Sequence, residues 1–193
     1  MQKEKQALPP GDFAIWIIVY IELITFALLF LGYAFSRRLD VALFNKSQLL
    51  LDQRFGFANT LLLITSSFFV VKALEAIKNI EKKRAAKIAS HWLLAAMSLG
   101  SLFLVNKIIE FSDKVEQGIN LSTNTFFMFY ILLTAFHFMH VILGLVILFT
   151  IRQKTKDGGY SAHDYRGMET GAIYWHLVDL LWIVLFPLIY IIR

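Results

Sequence analysis

The sequence predicts an all-α, polytopic membrane protein: five transmembrane helices in one bundle, N-terminus cytoplasmic and C-terminus outside. Three observations predict it. Of the 193 residues, 58% are apolar and only 17% charged, against about 45–50% and about 25% in soluble domains; the mean hydropathy is +0.61. The apolar residues gather in five runs, each long enough for a helix to cross a ~30 Å hydrocarbon core. None of the runs alternates apolar with polar residues, which argues against strands.

The first run, 13–35, is broken only by Glu22. The second, 57–74, carries Lys72 near its end, and the third, 92–109, carries Lys107. The fourth, 125–151, holds His137 and His140, and the fifth, 172–192, holds His176 and Asp179. The connections are polar and short. Residues 36–56 carry Arg37, Arg38, Asp40 and the turn chemistry of Asn45-Lys46-Ser47; 75–91 contains the basic stretch Glu81-Lys82-Lys83-Arg84. The connection 152–171 contains Asp157-Gly158-Gly159, a turn signal. No connection has room for a soluble domain, so 1–193 is expected to be a single membrane domain. The polar tail 1–10 and the long first run do not read as a cleavable signal peptide.

The formal net charge of +5 comes from Lys and Arg in short connections, so it reads as juxtamembrane charge, and no nucleic-acid partner is expected. Orientation follows from the same residues. One side collects Lys3, Lys5, Lys78, Lys82, Lys83, Arg84, Lys87, Arg152, Lys154, Lys156 and Arg166, 11 in all; the other has Arg37, Arg38, Lys46, Arg54, Lys114 and Arg193, which is 6. The richer side is expected to be cytoplasmic. There is no cysteine, which excludes disulfides, thiolate-bound zinc, iron–sulfur clusters and thiol catalysis.

Ionisable groups at membrane depth cost about 2.5–3.5 kcal/mol each, so each needs a reason. Measured from the cytoplasmic ends at ~1.5 Å per residue, Glu22 lies ~14 Å deep, His140 ~16 Å, His137 ~21 Å, Asp179 ~10 Å and His176 ~6 Å. His137 and His140 share one helix face, as do His176 and Asp179. These five residues could form a column inside the bundle. Burial disfavours an ionised Glu22, and His140 is its nearest candidate partner. Three readings compete for the column: a metal site, a proton or ion path, and a hydrogen-bonded network that fixes helix packing. Di-iron bundles need two Glu-x-x-His pairs, which are absent, and the packing network is favoured. Lys107 and Glu110, one turn apart near an outer end, are expected to form an interfacial pair with a snorkelling lysine. Trp16, Trp92, Trp175, Tyr130 and Tyr174 fall near span ends, as an aromatic belt would. Ala96-x-x-x-Gly100 is a small-xxx-small helix contact. No phosphate-binding, dinucleotide, nucleophile-elbow or zinc-protease motif is present.

Several of these segments together resemble one family. Glu169-Thr170-Gly171 leading into Trp175-His176-Leu177-Val178-Asp179-Leu180-Leu181-Trp182 resembles the last helix of subunit III of the haem–copper oxidases. Phe136-His137-Phe138-Met139-His140-Val141-Ile142-Leu143-Gly144, Asn59-Thr60 with Ser66-Ser67, Lys107 to Phe111, and Gly11-Asp12 through Glu22-Leu23 are similar to further helices of that family, in order. The form is the short, five-helix one. Phe186-Pro187-Leu188-Ile189-Tyr190 and the Lys107 position resemble the branch associated with nitric oxide reductase; Ala135, Phe138 and Phe111 depart from residues common in the family.

The resemblance implies a non-catalytic accessory subunit of a respiratory haem–copper oxidase or nitric oxide reductase. It implies a catalytic, haem-containing subunit I as partner, with haem and copper or iron held there and no cofactor or metal in this chain. It implies contact with membrane phospholipid, support of proton uptake, and residence in the cell membrane, the bacterial inner membrane in particular. The rival class is a small proton-linked transporter using Glu22, His140 and Asp179. Transporters favour inverted repeats and helices broken at the midplane, and Pro187 is the only proline in a span.

Overall fold

The computed structural model describes residues 9–79 and 82–193, with the backbone alone for Lys82 and Lys83. Of the predicted charge pattern, Lys3, Lys5 and Glu81 lie outside the described residues, as do the side chains of Lys82 and Lys83. Six α-helices follow in chain order among the described residues: α1 Phe13–Leu39, α2 Val41–Gln48, α3 Gln53–Asn79, α4 Lys82–Glu116, α5 Thr125–Lys156 and α6 Arg166–Phe186. α6 runs directly into a π-helical turn, Pro187–Ile191. Five of the helices, all but α2, are long and apolar enough to cross a membrane. Among the described residues no strand forms, only an isolated bridge between Ser161 and Asp164.

The helices outrun the apolar runs that predict them. The 35 residues of α4 extend ~52 Å at 1.5 Å per residue, well beyond a ~30 Å hydrocarbon core. Hydropathy marks where a helix meets lipid, while backbone hydrogen bonding continues it into water. The connection 36–56, expected to be a turn, instead holds α2. Asp40 starts that helix, its carboxylate accepting from the Leu43 N–H at 3.0 Å. Asn124 caps α5 in the same way, accepting from the Phe127 N–H at 2.9 Å. α4 and α5 each stop at a left-handed glycine, Gly118 at φ 75° and Gly158 at φ 71°. There the next N–H returns to a carbonyl of the last turn: Ile119 to Lys114, and Gly159 to Lys154, both at 2.9 Å.

α3 packs along α4, α4 on α5, α5 on α6 and α6 back on α3, which closes a four-helix ring. α1 leans on the outside of α5 and α6, and in consequence it buries only Ile15, Val19, Phe26 and Tyr33. Trp175 fills the ring's interior, 1% exposed. Its indole needs glycine on both flanks, since a Cβ built at Gly100 or at Gly144 would lie 2.7 Å from its ring. The expected aromatic belt therefore fails for Trp175, Tyr130 and Tyr174, which are all buried in the core. Small residues let α3 and α4 approach where Ala96-x-x-x-Gly100 predicts a contact: Ala96 is buried, and its carbonyl accepts from Ser66 Oγ at 2.8 Å.

The two ends of the bundle are tied separately. At one end the Gly11 N–H donates to Glu169 (3.3 Å), Lys78 pairs with Glu169 (2.7 Å) and Asp12 N–H donates to Thr170 (3.0 Å). At the other, the last carbonyls of the chain, which lack helical partners, are capped by side chains. Gln48 donates to Ile189 O at 2.9 Å, Gln53 to Tyr190 O at 2.7 Å and Arg37 to Ile192 O at 2.7 Å. Pro187 has no N–H to give, and the turn it begins closes with the wider bond from Ile192 N–H to Pro187 O at 2.9 Å.

Candidate functional site

Glu22 and His140, placed at similar depth by the spacing of their helices, meet across the α1–α5 contact. His140 Nε2 lies 3.0 Å from Glu22 Oε2. The ring is held from behind: Nδ1 lies 2.8 Å from the Phe136 carbonyl. A donor at Nδ1 leaves Nε2 to accept, so this tautomer suits a protonated Glu22, while an ionised Glu22 needs an imidazolium. Phe26 and Phe136 pack edge-on against the imidazole, with centroids at 5.5 Å and 4.7 Å. Beside the pair, between α1, α5 and α6, opens a cavity of about 430 Å³ whose lining includes Ile15, Ile18, Glu22, Leu143, Ile147 and Tyr174. The Tyr174 hydroxyl is buried without a hydrogen-bond partner among the described residues. The walls at Ile15, Ile18, Leu143 and Ile147 suit an aliphatic chain, and the polar lining includes Glu22, Thr150, Lys154, Thr170 and Tyr174.

The predicted column divides into separate pieces. His137 is fully buried, with neither ring nitrogen hydrogen-bonded among the described residues; it packs on Phe103 and Trp182 at 5.7 Å and 5.2 Å. His176 and Asp179 lie on the α3–α6 side. His176 Nδ1 is 3.6 Å from Asp179 Oδ2 and hydrogen-bonds Ser67 Oγ of α3. Among the described residues, no three His, Asp or Glu side chains come together as a metal-holding group.

Lys107 departs from expectation. The sequence predicts a lysine snorkelling to the interface, but its side chain is 0% exposed and turns into the bundle. Its ammonium donates to Glu110 Oε2 and to the Tyr190 hydroxyl, both at 3.0 Å. The rings of Phe111, Tyr130, Trp182 and Tyr190 surround it, their centroids 5.0–5.6 Å away, an arrangement that stabilises a desolvated cation. Glu110 is bound as completely. Tyr130 donates to its Oε1 at 2.8 Å, and Tyr190 donates to the same oxygen. The pair is thus a buried, hydrogen-bonded core of α4, α5 and the π-turn. Sequence reasoning missed Tyr130 and Tyr190 as its partners, since nothing local to Lys107 signals a hydroxyl 83 residues away. It also missed the Lys78–Glu169 tie and the role of Ser67.

Comparison with known proteins follows the same segments. A family model described as "Cytochrome c oxidase subunit III" matches residues 48–193. The chain is similar to cytochrome c oxidase subunit 3 of Thermostichus vulcanus, 39% identical over 134 residues, which cover 69% of this chain and 63% of that protein. To cytochrome c oxidase subunit 3 of Synechocystis sp. it is 35% identical over 134 residues, 69% of this chain and 54% of the relative. To cytochrome bo(3) ubiquinol oxidase subunit 3 of Buchnera aphidicola subsp. Acyrthosiphon pisum it is 29% identical over 188 residues, 93% and 85% of the two chains. The chain thus spans less than two thirds of the first two relatives' length. The family match contains α3 to α6, while α1 and Glu22 precede it.

Proposed function

We propose that this chain, which belongs to the cytochrome c oxidase subunit III family, is a non-catalytic accessory membrane subunit of a respiratory haem–copper oxidase. It packs beside the catalytic subunit I and stabilises it. Haem and copper or iron reside in that partner, and this chain contributes no redox centre of its own. The single observation that carries the reading is the family match over residues 48–193. The names of the relatives, cytochrome c oxidase and ubiquinol oxidase subunits 3, agree with it and give no support to a transporter. The narrower placing beside nitric oxide reductase rests on Phe186 to Tyr190 and on Lys107 alone.

The five apolar helices make it a membrane protein. Our reading places it in a bacterial inner membrane, N-terminus in the cytoplasm, supported by the 11-to-6 asymmetry of Lys and Arg. The cavity beside Glu22 takes a phospholipid acyl chain in this reading, and the Glu22–His140 pair supports proton uptake by the partner.

The test is gentle purification from native membranes through a tag on this chain, followed by a haem spectrum. A haem-bearing subunit should accompany it, while the chain expressed alone should show neither haem bands nor stoichiometric iron, copper or zinc. Equimolar metal on the isolated chain, lost on replacing His140 or Asp179, overturns the accessory reading in favour of a metalloenzyme.

A further inference from the structure

The cavity between α1, α5 and α6 holds two polar groups whose hydrogen bonding is incomplete. Glu22, its side chain 22% exposed, meets His140 through Oε2, which leaves Oε1 without a partner among the described residues. The Tyr174 hydroxyl has no partner there either, although the residue is only 3% exposed. Both side chains line the same cavity of about 430 Å³, and Glu22 is close enough for its charge to act on that hydroxyl. A buried hydroxyl is costly to leave unsatisfied, and a carboxyl group within a span needs a reason and a partner.

Other polar groups that lack partners stand differently. Thr65 and Ser101 are on the outer surface, where a hydroxyl can turn back to a carbonyl one turn earlier, as those of Thr25 and Ser98 do. His137 is wedged against Phe103 and Trp182, and Trp175 between Gly100 and Gly144; neither lines the cavity. Tyr174 has both open space and a polar group that shares it. A bound water takes about 30 Å³ and two to four polar partners, so the cavity has room for water beside an acyl chain. Such a chain, lying along Ile15, Ile18, Leu143 and Ile147, covers the apolar walls and gives Glu22 and Tyr174 nothing to bond.

We propose that this cavity binds water between Glu22 Oε1 and the Tyr174 hydroxyl, and that Tyr174 is a positioning residue for proton exchange at Glu22. The inference rests on the reading of the Glu22–His140 pair as a support for proton uptake, and adds to it the route by which a proton arrives. One O–H bond of the bridging water breaks as one forms on Oε1, and that water is reprotonated from the next one along the cavity. The lining continues to Thr150, Lys154 and Thr170, near the end of α5 and the start of α6, on the side read as cytoplasmic. No electron moves, and His140 keeps its place on Oε2 throughout.

The test is infrared spectroscopy of the purified full chain, at a pH low enough to protonate Glu22, whose carboxyl band is the one lost in Glu22→Gln. On transfer to heavy water the wild-type band should take its deuterated position promptly. Tyr174→Phe should slow that exchange roughly tenfold, the weight of about one hydrogen bond, and move the band to higher frequency. Exchange and band position equal to wild type in a folded Tyr174→Phe chain overturn the proposal. So does a wild-type band that resists heavy water for hours, the mark of a dry cavity. If Tyr174→Phe does not fold, Glu22→Leu gives the reading from the other side: a tyrosine C–O band should move, and unmoved bands refute the bridge. In the complex with the haem-bearing subunit, proton uptake unchanged by both Glu22→Gln and Tyr174→Phe overturns the proton role of Glu22 and leaves the water site standing. Uptake lowered by Glu22→Gln but not by Tyr174→Phe overturns the role given to Tyr174.

Discussion

Replacing Glu110 by leucine strands a fully buried ammonium, and a large loss of stability should follow. Lys107 Nζ then loses its 3.0 Å contact with the carboxylate and keeps only the Tyr190 hydroxyl and four aromatic faces. Breaking a buried pair from one side costs about 3–5 kcal/mol. For a chain of this length that corresponds to a fall of roughly 6–20 °C in Tm. Lys107→Met should cost less, about 1–3 kcal/mol, because Glu110 retains two tyrosine donors and a carboxyl can take up a proton. The double variant Lys107→Met/Glu110→Leu removes both charges together, and its loss should fall short of the summed single losses by at least about 2 kcal/mol. The assay is thermal unfolding of the purified chain in dodecyl maltoside, followed by the loss of its monodisperse peak on size exclusion. Additive losses across the cycle, or a Glu110→Leu chain as stable as wild type, would refute the account of a sealed ion pair.

Three further outcomes are expected. Gly144→Val should destabilise the chain by at least about 1–3 kcal/mol, because its Cβ meets the Trp175 indole at 2.7 Å; a melting curve superimposable on wild type would show that the indole can move aside. Glu22, which lies within the first span, should react with a hydrophobic carbodiimide before exposed Glu116, and Glu22→Gln should preserve the fold, since an amide keeps the shape and a hydrogen-bonding terminus opposite His140; equal reactivity at the two sites, or loss of the fold, would count against this placing of the Glu22 side chain. Because the chain has no cysteine, single cysteines can report orientation: in intact cells Lys46→Cys should label with an impermeant maleimide and Ala162→Cys should not, and the reverse pattern would invert the topology.

The spans were legible because a membrane imposes one requirement that a linear sequence displays directly, about 20 consecutive residues that tolerate hydrocarbon. Their ends were less legible for the same reason. The third run suggests 92–109, yet α4 extends over Lys82–Glu116, because charged residues beyond the lipid support a helix as readily as apolar ones within it. α2 was hidden by its length: eight residues with a mixed pattern look like a connection, and only Asp40 three residues before Leu43 signals a cap.

Polar chemistry inside the bundle was legible to the extent that depth decides it. Counting residues along two helices places Glu22 and His140 level, and the side chains meet at 3.0 Å. Depth says nothing about azimuth, and there the reading failed. His137 lies one turn from His140, but faces Phe103 and Trp182 instead of α1. Lys107 sits close enough to its helix end to snorkel, and what draws it inward is supplied from elsewhere. Pro187 opens a π-helical turn in the last helix, which brings the hydroxyl of Tyr190 to the lysine and to Glu110. Without that acceptor and the four rings around it, a lysine at this position would find its lowest energy in the interface. The same geometry explains why Tyr190 is fully buried so near the chain's end: three polar side chains of α1, α2 and α3 hold the backbone carbonyls of the turn region, and its hydroxyl is anchored from within. A change in Pro187 should therefore be felt at Lys107 through Tyr190, by way of a contact that neither segment reveals alone.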